Sequence, residues 1–130
     1  MILSEFLLLF LLSWTHAQLH SYLGMGVVFN KFTGSRGKAG SNDANAEYMG
    51  FIRRVMESNN VTYQTAELGK VDLGGGGTIA YIMALYGMNV IDCGVAVLSM
   101  HAPWEVTSKA DIYEAKQCYV AFLNAADESI

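Results

Sequence analysis

The sequence predicts an α/β fold, a layered sheet covered by helices, and three observations carry that reading. Runs of β-branched and aromatic residues stand at 26–32, 61–66 and 89–93. Segments with apolar residues every three or four positions follow each of them, as amphipathic helices require. Turn-forming Gly, Ser, Asn and Asp residues mark the junctions. The resulting order β-α-β-α-β-α implies a sheet with helices against its faces, here a three-layer α/β/α arrangement. With 130 residues, 52% hydrophobic and 15% charged, the chain suits one packed domain rather than a disordered segment.

The elements follow in chain order. Ile2 to Trp14 is almost wholly apolar, and Thr15-His16-Ala17 before Gln18 has the small-residue ending of a signal-peptide cleavage site. Met1-Ile2-Leu3-Ser4-Glu5 has no Lys or Arg and carries an acid where a positive start is expected. The stretch is also shorter than the ~20 residues that cross a bilayer. Residues 1–22 are therefore set apart as an apolar leader, signal-like or an artefactual start, from a domain at residues 23–130. The location expected is cytoplasmic, or secreted if residues 1–17 act as a signal.

Gly26 to Phe32 reads as the first strand, running into a loop at Thr33-Gly34-Ser35-Arg36-Gly37. Ser41-Asn42-Asp43 offers capping oxygens to a helix whose apolar face is Ala46, Met49, Ile52 and Met56, ending near Ser58-Asn59-Asn60. Val61 to Ala66 is a second strand. Ile79, Ile82, Met83 and Tyr86 mark a second helix, which Gly87 closes from the C′ position. Asn89 to Cys93 is the third strand. Ser108 with Asp111 resembles a capping box that opens a last helix, with Ile112, Ala115, Tyr119 and Phe122 as its buried stripe.

A net charge of −4 provides no basic field for a phosphate backbone, which argues against a nucleic-acid partner. The two cysteines, Cys93 and Cys118, fall in apolar surroundings of a strand and a helix and read as buried free thiols. Lys31, Arg36 and Lys38 form a small basic cluster that suits a solvated face or an anchor for a substrate carboxylate. Glu105 and Glu114 read as helix-surface acids.

Two loops stand where α/β sheets collect ligands, beyond strand ends. Gly74-Gly75-Gly76-Gly77 precedes a helix and suits either a close-packed turn or backbone contact with an anion or carbonyl oxygen. No Lys-Ser/Thr pair follows, so it is not a phosphate loop, and a dinucleotide site would have to use Asp92 as its ribose acid. His101 lies in a loop after the apolar run Val95 to Leu98, where it can offer one imidazole to a metal. Zinc takes three or four such donors, and the chain has no H-E-x-x-H motif and no paired cysteines. A small anion- or nucleotide-binding module and a secreted non-enzymatic domain stay open as alternatives.

From about residue 23 to residue 123 the chain resembles the C-terminal part of the zinc aminopeptidase I family, also called the aspartyl aminopeptidase family. The residues that carry the likeness are Lys31 to Lys38, Ser41-Asn42-Asp43-Ala44, Glu67 to Asp72, Gly74 to Ala80, Asp92-Cys93-Gly94 and Met100 to Val106. The resemblance implies a zinc exopeptidase fold, present as a partial domain, and removal of N-terminal residues from peptides. It implies two zinc ions that activate a water and polarise the scissile carbonyl. It assigns His101 as a zinc ligand, and Gly76, Gly77, Thr78 and Lys31 as substrate-contacting residues. It also implies a homo-oligomer for the intact enzyme. The family's remaining ligands, including an adjacent pair of glutamates, belong to sequence upstream of the matching region, and these 130 residues contain no Glu-Glu pair. The expectation is therefore a fragment carrying one zinc ligand and the glycine-rich loop, with no catalytic base of its own.

Overall fold

Val27–Lys31 is the strand on which the rest of the sheet is built. A computed structural model describes residues 6–8, 21–31, 44–67 and 83–125. Its elements are β1 (Phe6–Leu8), β2 (Val27–Lys31), α1 (Ala46–Ser58), β3 (Tyr63–Glu67), β4 (Ile91–Gly94), β5 (Val97–Leu98), β6 (Val106–Thr107) and α2 (Lys109–Asn124). The sheet order is β1-β4-β2-β3. β2 is parallel to β3 and antiparallel to β4, and β4 is parallel to β1. Parallel neighbours need a crossover rather than a tight turn, and α1 lies in the connection between β2 and β3. β5 and β6 form a separate antiparallel pair with Leu98 opposite Val106.

The period-two alternation of β2 sorts its side chains. Val27 and Phe29 join Ile91 and Cys93 in the main apolar cluster, which both helices complete. Val28 packs with Ala66 and Ala96 in a second, smaller cluster. Asn30 also points away from the main cluster, and its register partner on β4 is Asp92; both are buried. Phe29 meets Tyr63 edge to face, with ring centroids 5.7 Å apart.

α1 forms where its periodicity placed it, but its start and its face differ in detail. Its N-cap is Asn45, whose Oδ1 accepts from the Tyr48 amide at 2.7 Å. Ser41, Asn42 and Asp43 lie outside the described residues. The buried face is Tyr48, Phe51, Ile52, Val55 and Met56; Ala46 is exposed and Met49 half-buried. Ile52 and Met56 thus lie on the buried face as expected, and Tyr48, Phe51 and Val55 take the positions beside them in place of Ala46 and Met49. The helix stops in a Schellman arrangement: Asn60 takes φ 54°, its amide donates to the Glu57 carbonyl, and the Val61 amide donates to the Met56 carbonyl. Val61 and Met56 are both buried in the main cluster, which supplies the apolar contact this motif commonly carries.

Of the expected second helix only Met83 and Ala84 are described as helical. Ile79 and Ile82 lie outside the described residues, and Tyr86 is 75% exposed, so it belongs to no buried face. Gly87 closes this turn at φ 73°, its amide donating to the Ala84 carbonyl.

α2 corrects two expectations. Ser108 is its N-cap, with Oγ accepting from the Ala110 amide. Asp111 is no partner in a capping box: fully buried, it accepts from the Gly24 amide at 2.7 Å and the Gly26 amide at 2.8 Å. A carboxylate in the first helical turn also suits the positive end of the helix dipole. One turn on, Glu114 accepts from the Thr62 amide at 2.8 Å, and the Val27 amide donates to the Thr62 carbonyl. The start of α2 thus holds the entrances to β2 and β3 together. Its buried stripe is Asp111, Ala115, Cys118, Ala121 and Phe122, while Ile112 is 52% exposed and Tyr119 half-buried. Asp111 sets this rotation, because pointing its carboxylate at the glycine amides turns Ile112 outward.

The apolar leader also enters the description. Phe6–Leu8 pairs with Ile91–Cys93 in parallel register, extending the sheet beyond β4. Among the described residues no helix is long and apolar enough to cross a membrane.

Candidate functional site

The loop 99–105 joins β5 to β6 and carries His101 at its turn. Pairing of Val97 with Thr107 and Leu98 with Val106 fixes the loop's two ends. The Thr107 hydroxyl adds a bond to the Ala96 carbonyl at 2.7 Å. Within the loop the Ala102 amide donates to the Ser99 carbonyl. Ser99 and His101 both take left-handed backbone angles, φ 59° and 66°. For non-glycine residues this region costs about 1–2 kcal/mol, so a specific contact must compensate. That contact is Glu105, whose Oε1 accepts from the His101 amide. Glu105 is therefore a loop residue bound to the candidate ligand's backbone, not a helix-surface acid.

His101 is exposed, and so are Ala102, Pro103, Trp104 and Glu105 around it. Its imidazole is accessible to a metal, which supports one ligand position. Zinc takes three or four protein donors. Among the described residues no group of three His, Cys, Asp or Glu side chains comes together to hold an ion. The described residues thus fit one corner of a zinc site and do not assemble the rest.

The other candidate positions are placed only in part. Gly76, Gly77 and Thr78 lie outside the described residues, as do Arg36 and Lys38. Lys31 is the last residue of β2, paired with Glu67 in the β3 register. Asp92 sits second in β4 and is 2% exposed, so it offers no carboxylate at a strand end for a ribose hydroxyl. Its burial instead pushes the carboxyl up to about 7.

Cys93 and Cys118 are both buried free thiols, as expected. They face one another between β4 and α2, with the Tyr119 hydroxyl at Cys93. Burial, then the Cys118 thiol, holds the Cys93 thiol well above its usual range. Buried together in the main cluster, the two thiols pack the core between β4 and α2.

Among the described residues a mixed sheet carries both long helices on one face and a hairpin loop that presents a histidine, which makes an α/β domain seen in part. Residues 13–123 match the profile of the family described as Aminopeptidase I zinc metalloprotease (M18), and the chain belongs to that family. The match begins within the stretch expected to be leader. A probable M18 family aminopeptidase 1 of Clostridium acetobutylicum is 70% identical over 104 residues, covering 80% of this chain and 22% of that protein. Its namesake from Thermotoga maritima is 52% identical over 100 residues, covering 77% of this chain and 22% of the relative. The crystal structure of aminopeptidase I from C. acetobutylicum superposes with a TM-score of 0.69 at 71% identity, covering 79% of this chain and 23% of that one. At 15% identity, the dodecameric PhTET1-12s still reaches a TM-score of 0.69, a likeness of fold alone. The chain spans about a fifth of the length of the relatives it matches.

Proposed function

We propose that this chain forms part of a zinc-dependent aminopeptidase, in which His101 supplies one ligand to a two-ion centre. The family match over residues 13–123 carries this reading, together with the exposed imidazole on a pinned hairpin loop. Gly76, Gly77, Thr78 and Lys31 contact the peptide substrate, a role that glycine suits because it has no side chain to hold a ligand off the backbone. When bound, zinc supplies a polarised carbonyl and an activated water. In the intact enzyme the chain works within a homo-oligomer in the cytoplasm.

One ligand without its partners gives weak metal binding and no turnover. Zinc titration of the 130-residue chain, followed by the heat of binding, checks the first point; release of N-terminal residues from a peptide mixture checks the second. The expected outcome is a His101-specific response at high zinc that vanishes in His101→Ala, without hydrolysis. An equal zinc response in His101→Ala removes His101 from the site.

A further inference from the structure

We propose that Glu105 is a positioning residue for His101, selecting the left-handed backbone conformation that aims the imidazole. The inference rests on the reading of His101 as a metal ligand, but its own observation is separate. The Glu105 carboxylate reaches back four residues to the His101 amide, at 2.5 Å, while His101 holds φ 66°.

Rotation about φ changes the direction in which the Cα–Cβ bond leaves the chain. A histidine relaxed to an ordinary negative φ would therefore send its ring elsewhere. The surrounding frame does not by itself impose the left-handed value. The β5–β6 register fixes Leu98 and Val106, and the Ala102 to Ser99 bond closes a turn with His101 at its third position, where hydrogen-bonded turns of one type take negative φ and of another positive φ. Pro103 has no amide to offer and a fixed φ, so it stiffens the segment between His101 and Glu105. Glu105 directly precedes β6, whose pairing anchors the carboxylate's own backbone. Metal-ligating histidines are commonly oriented through their second ring nitrogen. Here it is the backbone of the histidine that is held.

The test is NMR on the labelled full chain, comparing wild type with Glu105→Gln and Glu105→Ala. In wild type, couplings and carbon shifts at residue 101 report positive φ, and the amide proton lies downfield. Glu105→Gln keeps an accepting oxygen and retains both signatures. Glu105→Ala lowers the left-handed population by roughly tenfold, the scale of the intrinsic bias against that region. Exchange protection of the Val97 and Thr107 amides and the thermal midpoint stay unchanged, which separates positioning from a general role in stability. Unaltered φ at His101 in Glu105→Ala overturns the proposal, and so does equal loss of structure across the hairpin. Zinc chloride added to each sample tests the metal reading apart from this. A wild-type imidazole indifferent to zinc removes the ligand role of His101, while φ in the two variants still decides whether Glu105 sets the loop.

Discussion

Asp111 and Asp92 are both buried acidic side chains. Asp111 accepts from two backbone amides, so its burial is compensated. Asp111→Ala should cost about 3 kcal/mol in urea unfolding, because it leaves the Gly24 and Gly26 amides without their acceptor. Gly26→Ala should also be strongly destabilising: at φ 86° an added Cβ would lie 2.1 Å from the Thr62 carbonyl oxygen. Asp92 is raised by burial, from 3.8 to about 7. The native state thus holds this proton over a window in which the unfolded chain has released it. The contribution of this one group is full below about pH 4 and is lost as pH rises to about 7. Asp92→Asn should flatten that slope and exceed wild type by up to ~4 kcal/mol above pH 7, and equal stability of the two proteins at all pH values would refute the shift. The sequence showed Asp111 only as a local capping acid. Its true partners lie 85 and 87 residues away, beyond the reach of any spacing rule.

The elements were legible where local signals and tertiary packing agree. β2, the end of α1, Gly87 at the close of its turn and the Ser108 cap all stand where turn chemistry and periodicity put them. The faces of the two helices are legible only in part: Ile52, Met56, Ala115 and Phe122 are buried as spacing predicts, while Ala46 and Ile112 are exposed. The polar run Ser41-Asn42-Asp43 offers the same capping oxygens as Asn45, so composition alone does not single out the cap. Its role is testable: Asn45→Ala should destabilise by ~1 kcal/mol through the lost bond to Tyr48, whereas Asn45→Ser should recover most of it. The β5–β6 pair went unseen because two-residue strands carry too little pattern. That omission matters for function, since this hairpin carries the candidate ligand.

At the scale of the whole molecule, the family and the α/β class were readable from several ordered blocks of sequence, although the assembled site was not. A single histidine on a loop cannot reveal which other side chains approach it. The outer side of α2 adds a consequence for behaviour in solution. Ile112, Tyr113, Val120 and Leu123 are 52%, 57%, 46% and 69% exposed and fall along one side of the helix. The 130-residue chain should therefore self-associate in sedimentation velocity with rising concentration, and the double substitution Val120→Lys and Leu123→Lys should shift it toward monomer. A sharp wild-type monomer at all concentrations would show that this side needs no cover. The paired thiols give the molecule a built-in clock. Cys93 on β4 and Cys118 on α2 are each 1% exposed, so an aromatic disulfide reagent reaches them only when helix and sheet part. Labelling at least roughly 100-fold slower than in the denatured chain would time that opening event directly. Both sulfurs should then react together, since one separation uncovers both.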